Sequence, residues 1–133
     1  MSVLETCVAT LRVHVPDVVA IYVFGSMADG RTHSTSDVDL ALLAGGPLDP
    51  AVRFEIAQDL ALAANRDVDL VDLRTATTVM RMQVVGSGRC LYSADDSERE
   101  AFETFTYSSY ARLNEERRGI LDDVRARRSI YGR

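Results

Sequence analysis

Two aspartates, Asp37 and Asp39, stand two residues apart at the start of a strand-like segment, DVDLALL (37–43). On a β-strand, residues two apart face the same side of the sheet, so these two carboxylates lie next to each other and repel. Such a pair needs a cation between its members, or one carboxyl must stay protonated. Mg²⁺ is the simplest candidate, because it binds through a few carboxylates and leaves its other positions to water and substrate phosphates. The spacing therefore predicts a divalent metal site at Asp37 and Asp39.

A Gly-Ser pair, Gly25-Ser26, ends the preceding apolar segment, and ten residues separate it from Asp37. A strand that ends in Gly and turns into a helix beginning at Ser exposes backbone N–H groups and the positive end of the helix dipole, which together attract anions. Gly25 lets a phosphate come close to the backbone, and Ser26 adds a hydroxyl donor. A phosphate site beside a metal site is typical of phosphoryl or nucleotidyl transfer, in which a second metal lowers the pKa of the acceptor.

A third carboxylate is expected from the segment RDVDLVDL (66–73). Asp67 and Asp69 share one face of the predicted strand, and Asp72 lies on the other face. Asp69 is the acid in the interior of this strand. If the strand lies beside the Asp37–Asp39 strand, Asp69 reaches the same metals or takes the proton of an attacking hydroxyl. Asp72 is the main alternative, and Asp67 lies nearer the start of the strand.

Hydrophobic periodicity predicts the elements that position these residues. The predicted strands are residues 17–24, 37–43, 66–73 and 89–93, and the predicted helices are residues 2–15, 49–64 (beginning at Asp49 or Pro50), 75–85 and 97–128. Strands that alternate with helices indicate an α/β fold. We therefore expect a mixed sheet with helices packed against it, and the residues LALL after Asp39 argue against an edge strand.

Apolar stripes indicate which helix faces are buried. In the helix beginning near Pro50, we expect four residues to face the core: Phe54, Ile56, Leu60 and Ala61. The last helix carries a first stripe of Phe102, Phe105, Tyr110 and Leu113, which we interpret as core, and a second stripe of Ile120, Leu121 and Val124. The second stripe packs within the chain or docks a partner, and a bend or interruption is expected near Gly119.

Composition excludes several classes of protein. The chain has 133 residues, enough for one domain, and its longest apolar run has seven residues, whereas a membrane span needs about 20. No basic region precedes an apolar stretch at the N-terminus, and the two cysteines, Cys7 and Cys90, are too few for a disulfide framework. We therefore expect a cytoplasmic protein with reduced core cysteines and no membrane contact. His14 and His33 form no zinc motif with the cysteines.

Charge is distributed unevenly. The net charge is −5, every basic residue is Arg, and residues 112–133 carry seven Arg against four acidic residues. A basic tail on an acidic body attracts acidic partner surfaces or nucleic acid. We interpret the tail chiefly as a solvated helix end, and we do not expect direct binding of nucleic acid.

The pattern Gly25-Ser26, Asp37-Val38-Asp39 and Asp69 resembles the nucleotidyltransferase superfamily that includes DNA polymerase beta and kanamycin nucleotidyltransferase, over about residues 17–73. In its small size the chain resembles the minimal nucleotidyltransferases (MNT, MntA-type). These proteins are antitoxins that pair with a HEPN-domain toxin in type VII-like toxin–antitoxin systems. The resemblance implies a polymerase beta-like core over about residues 1–93, followed by a long C-terminal helical segment at about residues 97–128.

The resemblance also implies an activity. Members of that family use ATP and Mg²⁺ to AMPylate a tyrosine of the toxin, releasing pyrophosphate and silencing its RNase activity. Gly25 and Ser26 would then hold the ATP phosphates and Asp37 and Asp39 two Mg²⁺ ions. Asp69 would be a metal ligand or the base toward the tyrosine. The resemblance is compatible with a homodimer and with a hetero-oligomer that includes the toxin.

One departure from the family pattern concerns the residue after the Gly-Ser turn. Many relatives read Gly-Ser-x-Ala-Arg-Gly, whereas this chain has Asp29 where that Arg stands, and Arg31 is the nearest cation able to replace it at the phosphates. Two alternatives stand beside the AMPylating antitoxin, and Asp29 motivates the first of them. One is an antitoxin that neutralises the toxin by binding alone, and the other is a nucleotidyltransferase for a small hydroxylated molecule.

Overall fold

The computed structural model describes residues 1–29 and 37–131. Arg31 and His33 lie outside the described residues. The elements in chain order are α1 (Val3–His14), β1 (Val18–Phe24), α2 (Ser26–Asp29), β2 (Val38–Ala44), α3 (Pro50–Ala64), β3 (Val68–Asp72), α4 (Thr78–Ser87), β4 (Arg89–Ser93) and α5 (Asp96–Tyr131).

The four strands form one mixed sheet in the order β3-β2-β1-β4. β1 pairs antiparallel with both β2 and β4, while β2 pairs parallel with β3. The predicted α/β fold with a mixed sheet is therefore confirmed. β2 is an interior strand, which explains why the residues after Asp39 are apolar on both faces. β3, by contrast, lies at an edge of the sheet.

Each face of the sheet is covered by its own pair of helices. Cys7 and Leu11 of α1 and Ile56 and Leu60 of α3 pack with residues of the sheet such as Leu40. On the opposite face, Val84 of α4 and Phe102 of α5 pack with sheet residues such as Tyr22 and Leu43. Alternate residues of β1 and β2 thus belong to different cores, as the period of two requires. The sheet is thus packed from both sides.

The boundaries of α3 follow from its flanking residues. The Asp49 carboxylate accepts a hydrogen bond from Ala51 N at 2.8 Å, and Pro50 occupies the first turn, so the predicted helix start is confirmed. Asn65 ends the helix in the left-handed conformation, with φ of 54°. The predicted burial of Phe54 is wrong, since 61% of this residue is exposed. Ile56 and Leu60 define the inner face, and a residue two before Ile56 lies about 200° around the helix.

α5 is one continuous helix of 36 residues, so the predicted interruption near Gly119 is wrong. Phe102 is buried as expected, but Phe105 is 59% exposed. Thr106 occupies the inner position instead, because its hydroxyl donates to Phe102 O at 2.9 Å and is thereby satisfied inside the core. The stripe of Ile120, Leu121 and Val124 is exposed within the described chain.

A hydrogen-bonded network joins α5 to the middle of the sheet. The Tyr22 hydroxyl donates to Glu103 Oε2 at 2.7 Å, and Arg99 donates to Glu103 Oε1 at 3.0 Å and to Ser93 Oγ at 3.0 Å. Burial, followed by the hydrogen bond to Glu103 and its charge, raises the pKa of Tyr22 above its usual value. The network therefore keeps a buried hydroxyl satisfied where α5 crosses β1.

Replacing Glu103 by Ala is expected to lower the free energy of unfolding by about 1–3 kcal/mol, because the Tyr22 hydroxyl loses its partner inside the protein. Urea unfolding measures the change. Glu100→Ala is the matched control, since Glu100 is an exposed residue of the same helix that only approaches Arg99 at 3.7 Å. The control is expected to stay within about 0.5 kcal/mol of the unaltered protein. Equal effects of the two substitutions would contradict the role of the network.

Both cysteines are free thiols, Cys7 buried and Cys90 exposed. The prediction that both lie in the core is therefore wrong for Cys90, which lies on the edge strand β4. Among the described residues, no helix combines the length and apolar character that crossing a membrane requires.

Candidate functional site

The Gly-Ser pair lies where β1 leaves the sheet. Gly25 has a φ of +70°, in the left-handed region that glycine adopts most readily, and Ser26 is the first residue of α2. Ala28 N donates to Gly25 O at 3.1 Å, which closes a tight turn. The predicted strand, Gly-Ser turn and helix are thus present in that order.

Asp39 lies directly against this turn. Phe24 of β1 and Asp39 of β2 are register partners, so the strand end before Gly25 lies opposite the aspartate. A Cβ built on Gly25 would collide with Oδ2 of Asp39. Glycine is therefore required here for two reasons: the backbone conformation, and the space that the Asp39 carboxylate occupies. The turn and the first carboxylate form one unit.

Asp69 is the register partner of Asp39 on the other side, across the parallel pair of β2 and β3. Register partners project from the same face of neighbouring strands, which lie about 4.8 Å apart. Asp39 is half-buried, Asp69 is exposed, and Asp37 is exposed immediately before β2 begins. Burial, followed by the negative charges of Asp69 and then Asp37, raises the pKa of the Asp39 carboxyl. The three predicted carboxylates are thus close enough to act on one another.

Asp72, the main alternative to Asp69, has a different role. Only 5% of it is exposed, and its carboxylate accepts hydrogen bonds from Leu48 N at 2.8 Å and from Arg74 N at 3.0 Å. These two contacts fasten the chain after β2 to the chain after β3. Asp67 is exposed and precedes β3, and its carbonyl accepts from Val38 N at 2.9 Å. The contacts of Asp72 favour Asp69 as the third acid of the site.

The two aspartates of β3 are expected to differ in their effect on stability. Asp72→Ala leaves two backbone N–H groups without their acceptor and is expected to cost about 2 kcal/mol or more in the free energy of unfolding. Asp69→Ala removes an exposed carboxylate that repels Asp39 and is expected to leave stability unchanged or slightly higher. Urea unfolding of both variants measures the difference. A destabilised Asp69→Ala protein beside an unaffected Asp72→Ala protein would reverse the two assignments.

The donor chemistry of the site fits Mg²⁺. Carboxylate oxygens are the ligands this ion prefers, and a site with few protein ligands leaves positions for water and phosphate. Within residues 1–29 and 37–131, no three Asp, Glu, His or Cys side chains already form a metal cluster. The fit therefore rests on Asp37, Asp39 and Asp69 as a mutually repelling set beside the Gly25 turn. Their roles, and that of Ser26, remain predictions.

The sequence did not predict a groove that opens beside Asp69. It has a volume of about 250 Å³ and runs between α3 and the start of β3. Its lining residues are Arg53, Phe54, Ala57, Gln58, Ala61, Asp67, Val68, Asp69 and Leu70. The signal in the sequence was Phe54 itself, an aromatic residue two positions from the inner face of its helix. A larger groove, of about 510 Å³, lies between α1 and β4 and contains none of the predicted site residues.

Comparison with known proteins gives a family match over most of the chain. The sequence profile of the family described as polymerase beta, nucleotidyltransferase matches residues 5–97, which include β1 to β4 and the site. The chain is 47% identical over 116 residues to the protein adenylyltransferase MntA of Shewanella oneidensis, covering 87% of this chain and 83% of that protein.

Solved structures agree with this match. A crystal structure of a toxin–antitoxin with AMP-PNP contains a chain that is 44% identical to this one, with a TM-score of 0.81, covering 90% of this chain and 96% of that chain. A complex of a tri-AMPylated Shewanella oneidensis HEPN toxin with MNT antitoxin is 42% identical, with a TM-score of 0.76, covering 90% of this chain and 93% of that chain. The similarity thus extends beyond the profile match into α5.

Proposed function

Because this chain belongs to the polymerase beta nucleotidyltransferase family, and within it to the MntA-type minimal nucleotidyltransferases, we propose that it is an antitoxin that transfers AMP from ATP to its cognate HEPN toxin. The observation that carries this proposal is the placement of the Gly25 turn, Asp39 and Asp69 side by side on three neighbouring strands. The similarity to an adenylyltransferase, and to antitoxins crystallised with AMP-PNP and with an AMPylated toxin, supports the substrate and the acceptor.

The proposed division of labour follows the order of the strands. Gly25 and Ser26, after β1, hold the phosphates of ATP. Asp37, immediately before β2, and Asp39, on β2, would hold Mg²⁺, with Asp69 alongside. When bound, Mg²⁺ neutralises phosphate charge and favours the ionised form of the acceptor hydroxyl. Asp69, on the far side from the phosphates, faces the acceptor.

The chemistry proposed for these residues is an in-line displacement at the α-phosphorus of ATP. The Asp69 carboxylate takes the proton of the toxin's tyrosine hydroxyl while the tyrosine oxygen attacks the α-phosphorus. A new phosphorus–oxygen bond forms to the tyrosine, the bond to the β-phosphate oxygen breaks, and pyrophosphate leaves. The half-buried position of Asp39 and the rigid sheet behind it hold the carboxylates in place without reorganisation.

Arg31 is proposed as the additional phosphate contact, since Asp29 at the end of α2 supplies no positive charge there. The second candidate function, neutralisation by binding alone, is favoured by the same Asp29.

We propose further that the protein works in the cytoplasm, where ATP is available and the free thiols of Cys7 and Cys90 stay reduced.

The test is the intact mass of the cognate toxin after incubation with this protein, ATP and Mg²⁺. The expected result is a toxin heavier by one or more adenylyl groups, located on tyrosine by peptide mass spectrometry. Chelation of the metal is expected to prevent the change. An unmodified toxin in a stable complex with this protein would reject AMP transfer and support neutralisation by binding alone.

A further inference from the structure

We propose that the groove between α3 and β3 binds the segment of the partner protein that carries the acceptor hydroxyl, and that Phe54 positions this segment against Asp69. The proposal rests on the proposed transfer of AMP to a protein, and it adds the surface that selects the acceptor. The groove lies between α3 and β3, the edge strand of the sheet, with Phe54, Ala57 and Gln58 of α3 on one wall and residues 67–70 on the other.

The order of the sheet indicates from which side the acceptor arrives. The Gly25 turn follows β1, Asp39 lies on β2 and Asp69 lies on β3. The proposed phosphate site, the metal ligand and the third acid are therefore arranged in this order across neighbouring strands. The acceptor must approach Asp69 from the side away from the phosphates. On that side β3 is the edge strand, and the groove begins there. Val68 and Leu70 face α3, whereas Asp69 and Asp39 project from the opposite face of the sheet. In the proposed arrangement, the segment therefore lies in the groove and turns around the edge of β3 to bring its hydroxyl to Asp69.

The lining of the groove suits a polypeptide segment with an aromatic side chain. Phe54 is 61% exposed although it is large and apolar, and Ala57 and Ala61 leave space beside it. Arg53 is held in place because its guanidinium donates to Leu70 O at 3.1 Å, which also satisfies a carbonyl of the edge strand. This contact ties the two walls of the groove together, and next to it Phe54 presents an aromatic surface that a tyrosine ring can pack against.

Size and charge favour a polypeptide over a nucleotide. The groove volume of about 250 Å³ is below the roughly 300–1,000 Å³ of pockets that enclose small-molecule ligands. Asp67 and Asp69 are both among the lining residues, so two acidic residues stand against one cation, Arg53, which also donates to Leu70 O. This excess of negative charge disfavours phosphate groups, whereas it attracts a segment with a basic residue next to the acceptor tyrosine. We assign the groove to a segment of this kind.

The first test compares two phenylalanine variants with matched exposure. Phe54→Ala is expected to raise the KM for the toxin about tenfold or more, because a buried aromatic contact is lost at the interface. The dissociation constant for ATP is expected to stay within about twofold of the value for the unaltered chain. A general disturbance of the fold would change this constant as well. Phe105→Ala, at 59% exposure on α5, is the control and is expected to leave the KM for the toxin within about twofold. Phe54→Leu is expected to restore much of the loss.

A Phe54→Ala protein with the KM of the unaltered chain would overturn the proposal, as would a larger effect of Phe105→Ala. These outcomes are measured while AMP transfer proceeds, so they are distinct from failure of the proposed function, in which the unaltered chain leaves the mass of the toxin unchanged.

A second test does not depend on transfer. A photoreactive benzoylphenylalanine replaces Gln58, an exposed residue of the groove that has no role in the proposed chemistry. On irradiation of the complex with the toxin, the expected crosslink joins position 58 to a toxin peptide that contains a tyrosine with a neighbouring basic residue. Where the unaltered chain transfers AMP, this tyrosine is the one modified. A crosslink confined to other toxin peptides, or none in a complex that forms, would overturn the proposal.

Discussion

Replacing both Asp37 and Asp39 by asparagine is expected to lower the rate of AMP transfer by about a thousandfold or more, while the domain stays folded. Loss of one preorganised hydrogen-bond donor at a reaction centre commonly costs about 10²–10³ in rate. Here two of the three carboxylates are removed, and Asn binds Mg²⁺ more weakly than Asp because it carries no charge. A thousandfold corresponds to about 4 kcal/mol of lost transition-state stabilisation.

The double variant is expected to fold because these carboxylates do not stabilise the metal-free protein. Asp37 is exposed and precedes β2, and Asp39 carries a raised pKa caused first by burial and then by its acidic neighbours. The asparagines remove the charge repulsion among the carboxylates, and this gain in the free energy of unfolding offsets the loss of any local hydrogen bond. Asp72 differs, since its carboxylate holds two backbone N–H groups.

Intact mass of the toxin against time measures the rate for the variant. The matched control is Asp122→Asn with Asp123→Asn, which removes the same charge from exposed positions on α5, far along the chain from the site. The control is expected to transfer AMP at a rate within about twofold. Transfer by the Asp37/Asp39 variant at the unaltered rate would show that the metal ligands have been misassigned.

The same variant also separates the two candidate functions. RNase activity of the toxin is measured in its presence, alongside the mass. If AMP transfer is the means of neutralisation, the variant leaves the toxin active. If the toxin is silenced without any change in mass, binding alone is sufficient, and the catalytic site serves another step.

Local sequence patterns were enough to predict the elements and the faces on which the acids lie. The period of two placed Asp37 with Asp39, and Asp67 with Asp69, and the Gly-Ser pair marked the end of β1. Such patterns depend only on residues near one another in the chain. The choice between Asp69 and Asp72 was not of this kind. It depends on the parallel register of β2 and β3 and on the contacts of Leu48, which the chain reaches only after folding.

The errors concerned residues whose burial depends on tertiary packing. Phe54 and Phe105 were expected inside because they are large and apolar, yet the inner faces of α3 and α5 are set by Ile56 with Leu60 and by Phe102 with Thr106. Gly119 was expected to interrupt α5, but one glycine costs a helix only about 1 kcal/mol and the helix continues. The exposure of Phe54 is the main evidence for the acceptor groove. The apolar character of Phe54 in the sequence did not indicate this exposure.

Replacing Gly25 by alanine is expected to reduce AMP transfer by about a hundredfold and to destabilise the domain by about 1–2 kcal/mol. The backbone at Gly25 is in the left-handed region, where a side chain costs about 1–2 kcal/mol. The new methyl group also meets Oδ2 of Asp39, so the carboxylate must move away from the turn. A displacement of about 1 Å at a reaction centre is enough to lower the rate by about 10².

Gly46→Ala is the matched control, because a Cβ at Gly46 meets nothing within 4 Å and its φ is not in the left-handed region. Transfer is measured at a temperature where urea unfolding shows both variants to be folded, so that lost activity reflects the site. Alanine at position 25 with unaltered activity would mean that Asp39 can move freely relative to the turn. The Gly25 turn and the Asp39 carboxylate lie in contact, so we expect that neither can shift without displacing the other. The rate of AMP transfer is therefore expected to fall about a hundredfold, a larger effect than the roughly 1–2 kcal/mol lost from the free energy of unfolding.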